Sequence, residues 1–111
     1  MKKLIFLALC AFSMSVFAAD YDNGKKIYNH WCLPCHGAGM PGTNALYYAY
    51  KGTDIAAELT KRTDLTPEVV EFFVRNGKHS MPFFRKTEIN DTQMKDLGEY
   101  LSNAYKKESK K

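Results

Sequence analysis

An all-α domain is what this sequence predicts, and three observations carry the prediction. Apolar residues recur at helical spacing in separate stretches, those stretches begin and end on residues suited to helix termini, and no run alternates apolar with polar residues as a half-buried strand does.

The chain has 111 residues, and residues 1–18 have the make-up of an export signal. Lys2 and Lys3 give a positive start, residues 4–17 form an apolar run broken only by serines, and Val16-Phe17-Ala18 offers small residues where a signal peptidase reads. Cleavage after Ala18 is therefore expected. The alternative, an uncleaved anchor, would need roughly 20 apolar residues to span a bilayer, more than this run supplies. Cys10 invites a lipid-anchor reading, but bulky Leu9 precedes it, and it reads as one more apolar residue of the signal.

Residues 19–111 are expected to form one domain, with no internal repeat or linker. A domain this small has a limited core and often depends on a staple. Only Cys32 and Cys35 remain after the signal, which excludes a disulfide framework. Without Lys2 and Lys3, 14 basic residues face 12 acidic ones, a balance that singles out no polyanionic partner. The tail lysines Lys106, Lys107, Lys110 and Lys111 read as a solvated, frayed end rather than a nucleic-acid patch.

The first helix is expected over residues 22–31, where Gly24, Ile27, Tyr28 and Trp31 fall at i, i+3, i+4 and i+7 and share one face. Residues 37–44, rich in Gly and Pro, read as loop. A short helix is expected over residues 54–61 with Thr53 as N-cap. Another takes Thr66 as N-cap and Pro67 as its first residue, carries Val69, Val70, Phe73 and Val74, and stops at Asn76-Gly77. The last starts near Asn90, with Gln93 placed to complete a capping box, and Met94, Leu97, Leu101 and Ala104 make its apolar stripe.

Cys32-Leu33-Pro34-Cys35-His36 is the strongest chemical signal. Two thiols one helical turn apart can add to the two vinyl groups on one porphyrin edge, which puts the adjacent histidine within reach of the iron. One covalently attached haem would also supply the apolar mass that the short chain lacks. A thioredoxin-like redox pair would want a βαβ pattern, and a zinc site two further ligands in a matching knuckle; the sequence has neither. The sixth iron position then decides between electron exchange and chemistry at an open metal. Met40 and His30 lie too close to His36 to reach the opposite face of the ring, and Met94 belongs to a core stripe. Met81 and His79 stand 45 and 43 residues beyond His36, far enough to wrap round. Pro82 keeps that segment extended, and Met81 is favoured over His79 as the ligand.

The chain resembles a class I cytochrome c. Gly24, Tyr28 and Cys32 repeat the spacing of that family's opening helix, and Asp96, Leu97, Tyr100 and Leu101 that of its closing helix. The resemblance implies that these helices cross, with contact roles for Gly24, Tyr28, Leu97 and Tyr100. It also implies that a proline carbonyl accepts the axial histidine's ring N–H, a role that falls to Pro41 within a segment, Met40-Pro41-Gly42-Thr43-Asn44-Ala45-Leu46, that departs from the family pattern.

Within the family, Val74-Arg75-Asn76-Gly77 followed by Met81-Pro82-Phe83-Phe84 is similar to the small cytochrome subunit of p-cresol methylhydroxylase and related 4-alkylphenol or eugenol hydroxylases. That likeness implies a periplasmic electron carrier, not itself an enzyme, which takes electrons from the FAD of a dehydrogenase subunit and passes them to a downstream acceptor. Phe83 and Phe84 are then either interface aromatics or packing over the haem edge. The competing expectation is a free cytochrome c shuttling between respiratory complexes, and a third is catalysis or ligand sensing at an open haem. No nucleic-acid partner and no stable membrane insertion after signal cleavage are expected.

Overall fold

The computed structural model describes residues 18–110 of the chain. Residues 1–17, and with them almost all of the expected export signal, lie outside the described residues, as does Lys111. The described chain is helical: α1 (Tyr21–Trp31), α2 (Leu33–His36), α3 (Pro41–Ala49), a 3-10 turn (Leu59–Lys61), α4 (Pro67–Asn76) and α5 (Asp91–Glu108). Among the described residues the sole β feature is an isolated bridge between Lys78 and Met81, so the all-α expectation holds.

The framework is α5 with α1 and α4 packed on it, and its geometry follows from two glycines. A Cβ on Gly24 would overlap the Asp96 carbonyl and come within 2.8 Å of Tyr100 Cβ, so α1 crosses α5 at backbone contact. Tyr28 and Tyr100 close the same crossing with ring centroids 5.3 Å apart, which confirms the contacts inferred for Gly24, Tyr28 and Tyr100. Asp96 is buried there, and it accepts from the Asp20 N–H and Asn23 Nδ2, each at 2.8 Å. Further along, Gly98 gives α4 room, because a Cβ on it would stand 3.0 Å from Pro67 Cα.

Helix ends match the sequence signals closely. Thr66 accepts from Val69 N–H at 3.3 Å, Pro67 opens α4, and Gly77 closes it with φ 67°. At α5 the Gln93 N–H donates to Asn90 Oδ1 at 2.8 Å and the Asn90 N–H donates to Gln93 Oε1 at 2.9 Å, the full capping box. Met94, Leu97, Leu101 and Ala104 are all buried along α5.

Three expectations are corrected. Residues 41–44, expected as loop, instead open α3: Pro41 suits the first position of a helix, and Gly42 sits so near the preceding turn that a Cβ would lie 2.6 Å from the Cys35 carbonyl. The helix expected over residues 54–61 shrinks to the 3-10 turn, because the Thr53 hydroxyl donates to the Tyr50 carbonyl at 2.7 Å and closes a local turn. Finally, α5 runs on through Lys106 and Lys107, and Lys107 Nζ lies 3.9 Å above the Tyr21 ring, so this part of the tail is not frayed.

Candidate functional site

The cysteine turn continues directly from α1. Cys32 N–H donates to the Tyr28 carbonyl at 2.8 Å, and the Cys35 and His36 amides both return to the Cys32 carbonyl, at 3.1 and 2.8 Å. One turn of helix thus holds both thiols and the imidazole. Cys32 is buried, Cys35 is exposed, and neither is in a disulfide. Burial, and then the nearby Cys35, push the Cys32 thiol up to about 12. Such a thiol stays protonated at neutral pH, the opposite of an activated redox cysteine.

His36 is half-buried, and its Nδ1 is enclosed with no hydrogen-bond partner. Burial lowers its pKa, which favours the neutral imidazole that binds metals. The Pro41 carbonyl therefore does not accept the ring N–H, contrary to the role inferred for it; Pro41 is taken up as the first residue of α3. Its neighbours instead touch the turn. A Cβ on Gly42 would stand 3.4 Å from His36 Cε1, and the buried Thr43 hydroxyl donates to the Gly37 carbonyl at 2.7 Å. Tyr28 OH donates to the His36 carbonyl at 3.4 Å. Sequence reasoning missed Gly42 and Thr43. The only available signal was Pro41 standing where a helix could open.

The strap that carries the remaining ligand candidates is pinned at both ends. Gly77 is cramped as well as left-handed, since a Cβ there would lie 2.6 Å from the Met81 carbonyl. Lys78 and Met81 exchange backbone hydrogen bonds at 2.9 and 3.1 Å, and Phe84 N–H donates to the Val74 carbonyl at 2.7 Å. Arg75, part of the motif that carried the resemblance, donates to the Phe84 carbonyl at 3.2 Å and pairs with Asp91 at 3.4 Å. The Phe84 ring meets Trp31 edge-on with centroids 5.6 Å apart, which ties the strap beside Cys32. Met81 is half-buried, whereas His79 is exposed at φ 52°. His30 is exposed with its ring on Trp31, Met40 is exposed, and Met94 lies in the core.

This arrangement fits a porphyrin. Two free thiols and an imidazole whose neutral form burial favours sit on one turn, and a Cβ on the adjoining Gly37 would meet the apolar side chains of Leu33 and Met40. Among the described residues no three His, Cys, Asp or Glu side chains converge as a metal cluster of their own. Two surface hollows, of about 340 and 370 Å³, are lined by residues of the 54–64 region with Tyr105 and by residues of the 67–95 region, and do not include the cysteine turn.

Comparison with known proteins gives a consistent picture. The sequence matches the protein family described as cytochrome C oxidase, cbb3-type, subunit III, over residues 19–101. It is 30% identical over 108 residues to cytochrome c6 of Porphyra purpurea, covering 91% of this chain and 93% of that protein. With cytochrome c6 of Cyanidioschyzon merolae it shares 29% identity over 109 residues, covering 96% and 98%. The structure of cytochrome c6 from the diatom Phaeodactylum tricornutum superposes with a TM-score of 0.52 over 80% of this chain and 98% of that one; at 21% identity that likeness establishes the fold.

Proposed function

Because the chain belongs to the class I c-type cytochromes, carriers of electrons that hold one covalently attached haem c, we propose that it is a freely diffusing carrier with its iron bound by His36 and Met81. In this reading Cys32 and Cys35 form the thioethers. Haem c supplies a metal that stores and releases a single electron. The protein's own part is to hold the two axial side chains so that little moves when the charge changes. For His36 that work is done by the cysteine turn and α3, and for Met81 by the strap pinned through Gly77, Arg75 and Phe84.

The observation that carries the free-carrier reading is the extent of the likeness to cytochromes c6, which runs over 93% and 98% of two relatives' lengths. Residence outside the cytoplasm, periplasmic in a bacterium, belongs to the proposal and rests on the segment before Ala19. Among the described residues no helix is long and apolar enough to cross a membrane. A second reading, the cytochrome subunit that accepts electrons from the FAD of a 4-alkylphenol-oxidising dehydrogenase, has one observation in its favour: Phe83, within the strap that suggested it, is 58% exposed. Phe84 is engaged with Trp31 and offers less. None of the relatives found supports this subunit role, and it ranks second.

The two readings separate on mixing the purified holoprotein with such a dehydrogenase. A free carrier titrates as a one-electron couple, elutes alone at micromolar concentration, and is reduced after phenol addition no faster than an unrelated cytochrome. Co-elution with rapid phenol-driven reduction would replace it with the subunit reading.

A further inference from the structure

We infer that the first turn of α3 sets the orientation of the axial imidazole, with Thr43 and Gly42 as positioning residues for His36. The inference rests on the reading of His36 as an iron ligand and adds what holds that ligand in place.

Thr43 and Asp96 are the buried polar residues among those described. Asp96 is accounted for at the α1–α5 crossing. Thr43 spends its hydroxyl on one atom, the Gly37 carbonyl, at 2.7 Å. That carbonyl already accepts the Met40 N–H at 3.1 Å, so it would not be left unsatisfied if Thr43 lost its hydroxyl. A valine of the same shape would fill the space without burying a polar group, so filling space does not account for threonine here. What the hydroxyl adds is a fixed distance between α3 and the carbonyl of Gly37, the residue that follows His36.

Gly42 makes that distance consequential. A Cβ there would meet the Cys35 carbonyl at 2.6 Å and His36 Cε1 at 3.4 Å, so the α3 backbone forms a wall beside the ring. From α1, the Tyr28 hydroxyl donates to the His36 carbonyl at 3.4 Å. Successive carbonyls, of His36 and Gly37, are therefore held from two different helices, with the imidazole against the glycine of the second. Groups that hold a ligand from outside the coordination sphere fix its ring plane and tune the metal.

The test uses the holoprotein and reads the ferric low-spin electron paramagnetic resonance spectrum, whose g-value spread follows the imidazole plane, together with the reduction potential. Thr43→Val and Gly42→Ala are expected to shift or broaden the g values and move the potential, while Thr43→Ser restores both. Thr66→Ala, which removes the α4 cap, serves as the control: it should lower the melting temperature and leave the spectrum unchanged. If Thr43→Val keeps the parent g values and potential and only melts earlier, as Thr66→Ala does, Thr43 is structural and the inference is overturned. Should Thr43→Val fail to accumulate, Thr43→Ala and Gly42→Ala carry the same readout. A parent spectrum without a nitrogen axial ligand would instead overturn the ligand reading on which the inference rests, before any variant is made.

Discussion

Met81 and His79 lie two residues apart on one strap, yet the chain treats them differently: Met81 is half-buried within a backbone bridge, and His79 points from an exposed, left-handed residue. Met81→Ala is accordingly expected to open the sixth position and let the ferric protein bind added cyanide or azide, followed by its absorption spectrum. His79→Ala should leave that spectrum near normal, and loss of the low-spin bands in His79→Ala alone would move the ligand to the histidine. A second residue-scale expectation concerns pH. Hydrogen bonding from the Arg62 guanidinium, at 2.6 and 2.8 Å, holds the Asp64 carboxyl below its ordinary value. A depressed folded-state pKa contributes stability above the unfolded value near 3.8, and that stability is lost as pH falls through the folded value. Because the Asp64 side chain is 47% exposed, solvent screens the pair and Asp64→Asn should cost less than about 1 kcal/mol at pH 7. Denaturant melts of parent and variant should converge only as pH falls below the folded-state value of the Asp64 carboxyl, itself below 3.8.

Among the elements, the α1–α5 crossing tolerates least. Replacing a helical glycine by alanine gains up to about 1 kcal/mol of propensity. At Gly24 the new Cβ would collide with the Asp96 backbone carbonyl, which cannot rotate away, so Gly24→Ala should be destabilised by about 3 kcal/mol or more in a denaturant melt. At Gly98 the nearest atoms are 3.0 Å away on Pro67, and the same substitution should cost distinctly less. These elements were readable in the sequence because their signals are local: Thr66-Pro67 and Asn90 with Gln93 mark their own helix ends, and the stripe of α5 repeats at helical spacing. The helix α3 was not readable, since Pro41-Gly42 has the composition of a loop and its conformation is fixed by contact with the Cys35 carbonyl. Thr53 misled for a related reason, its hydroxyl serving a turn in place of a cap. The same division runs through the candidate site. The spacing of Cys32, Cys35 and His36 is visible along the chain, whereas Gly42 and Thr43 acquire their meaning only where the fold brings them against the turn.

Over the whole molecule the apolar core is unevenly placed. Its buried side chains come from α1, α4, α5 and the flanking Cys32, Leu65 and Ile89, while no residue from 44 to 64 is fully buried. In the proposed reading the attached haem supplies the apolar mass that residues 44–64 lack. Cys32→Ala combined with Cys35→Ala should yield no stable haem-bearing protein, checked by pigment and thermal melting, and a cooperatively folded product would refute this. The contact between Asp20 and Asp96 bears on the order of events in folding. These residues are 76 apart in sequence, and joining them closes a loop at an entropic cost of about 4 kcal/mol before other contacts repay it. Until that loop closes, Cys32, buried in the finished fold, lies in open chain, so in the proposed reading its thioether forms before α5 docks.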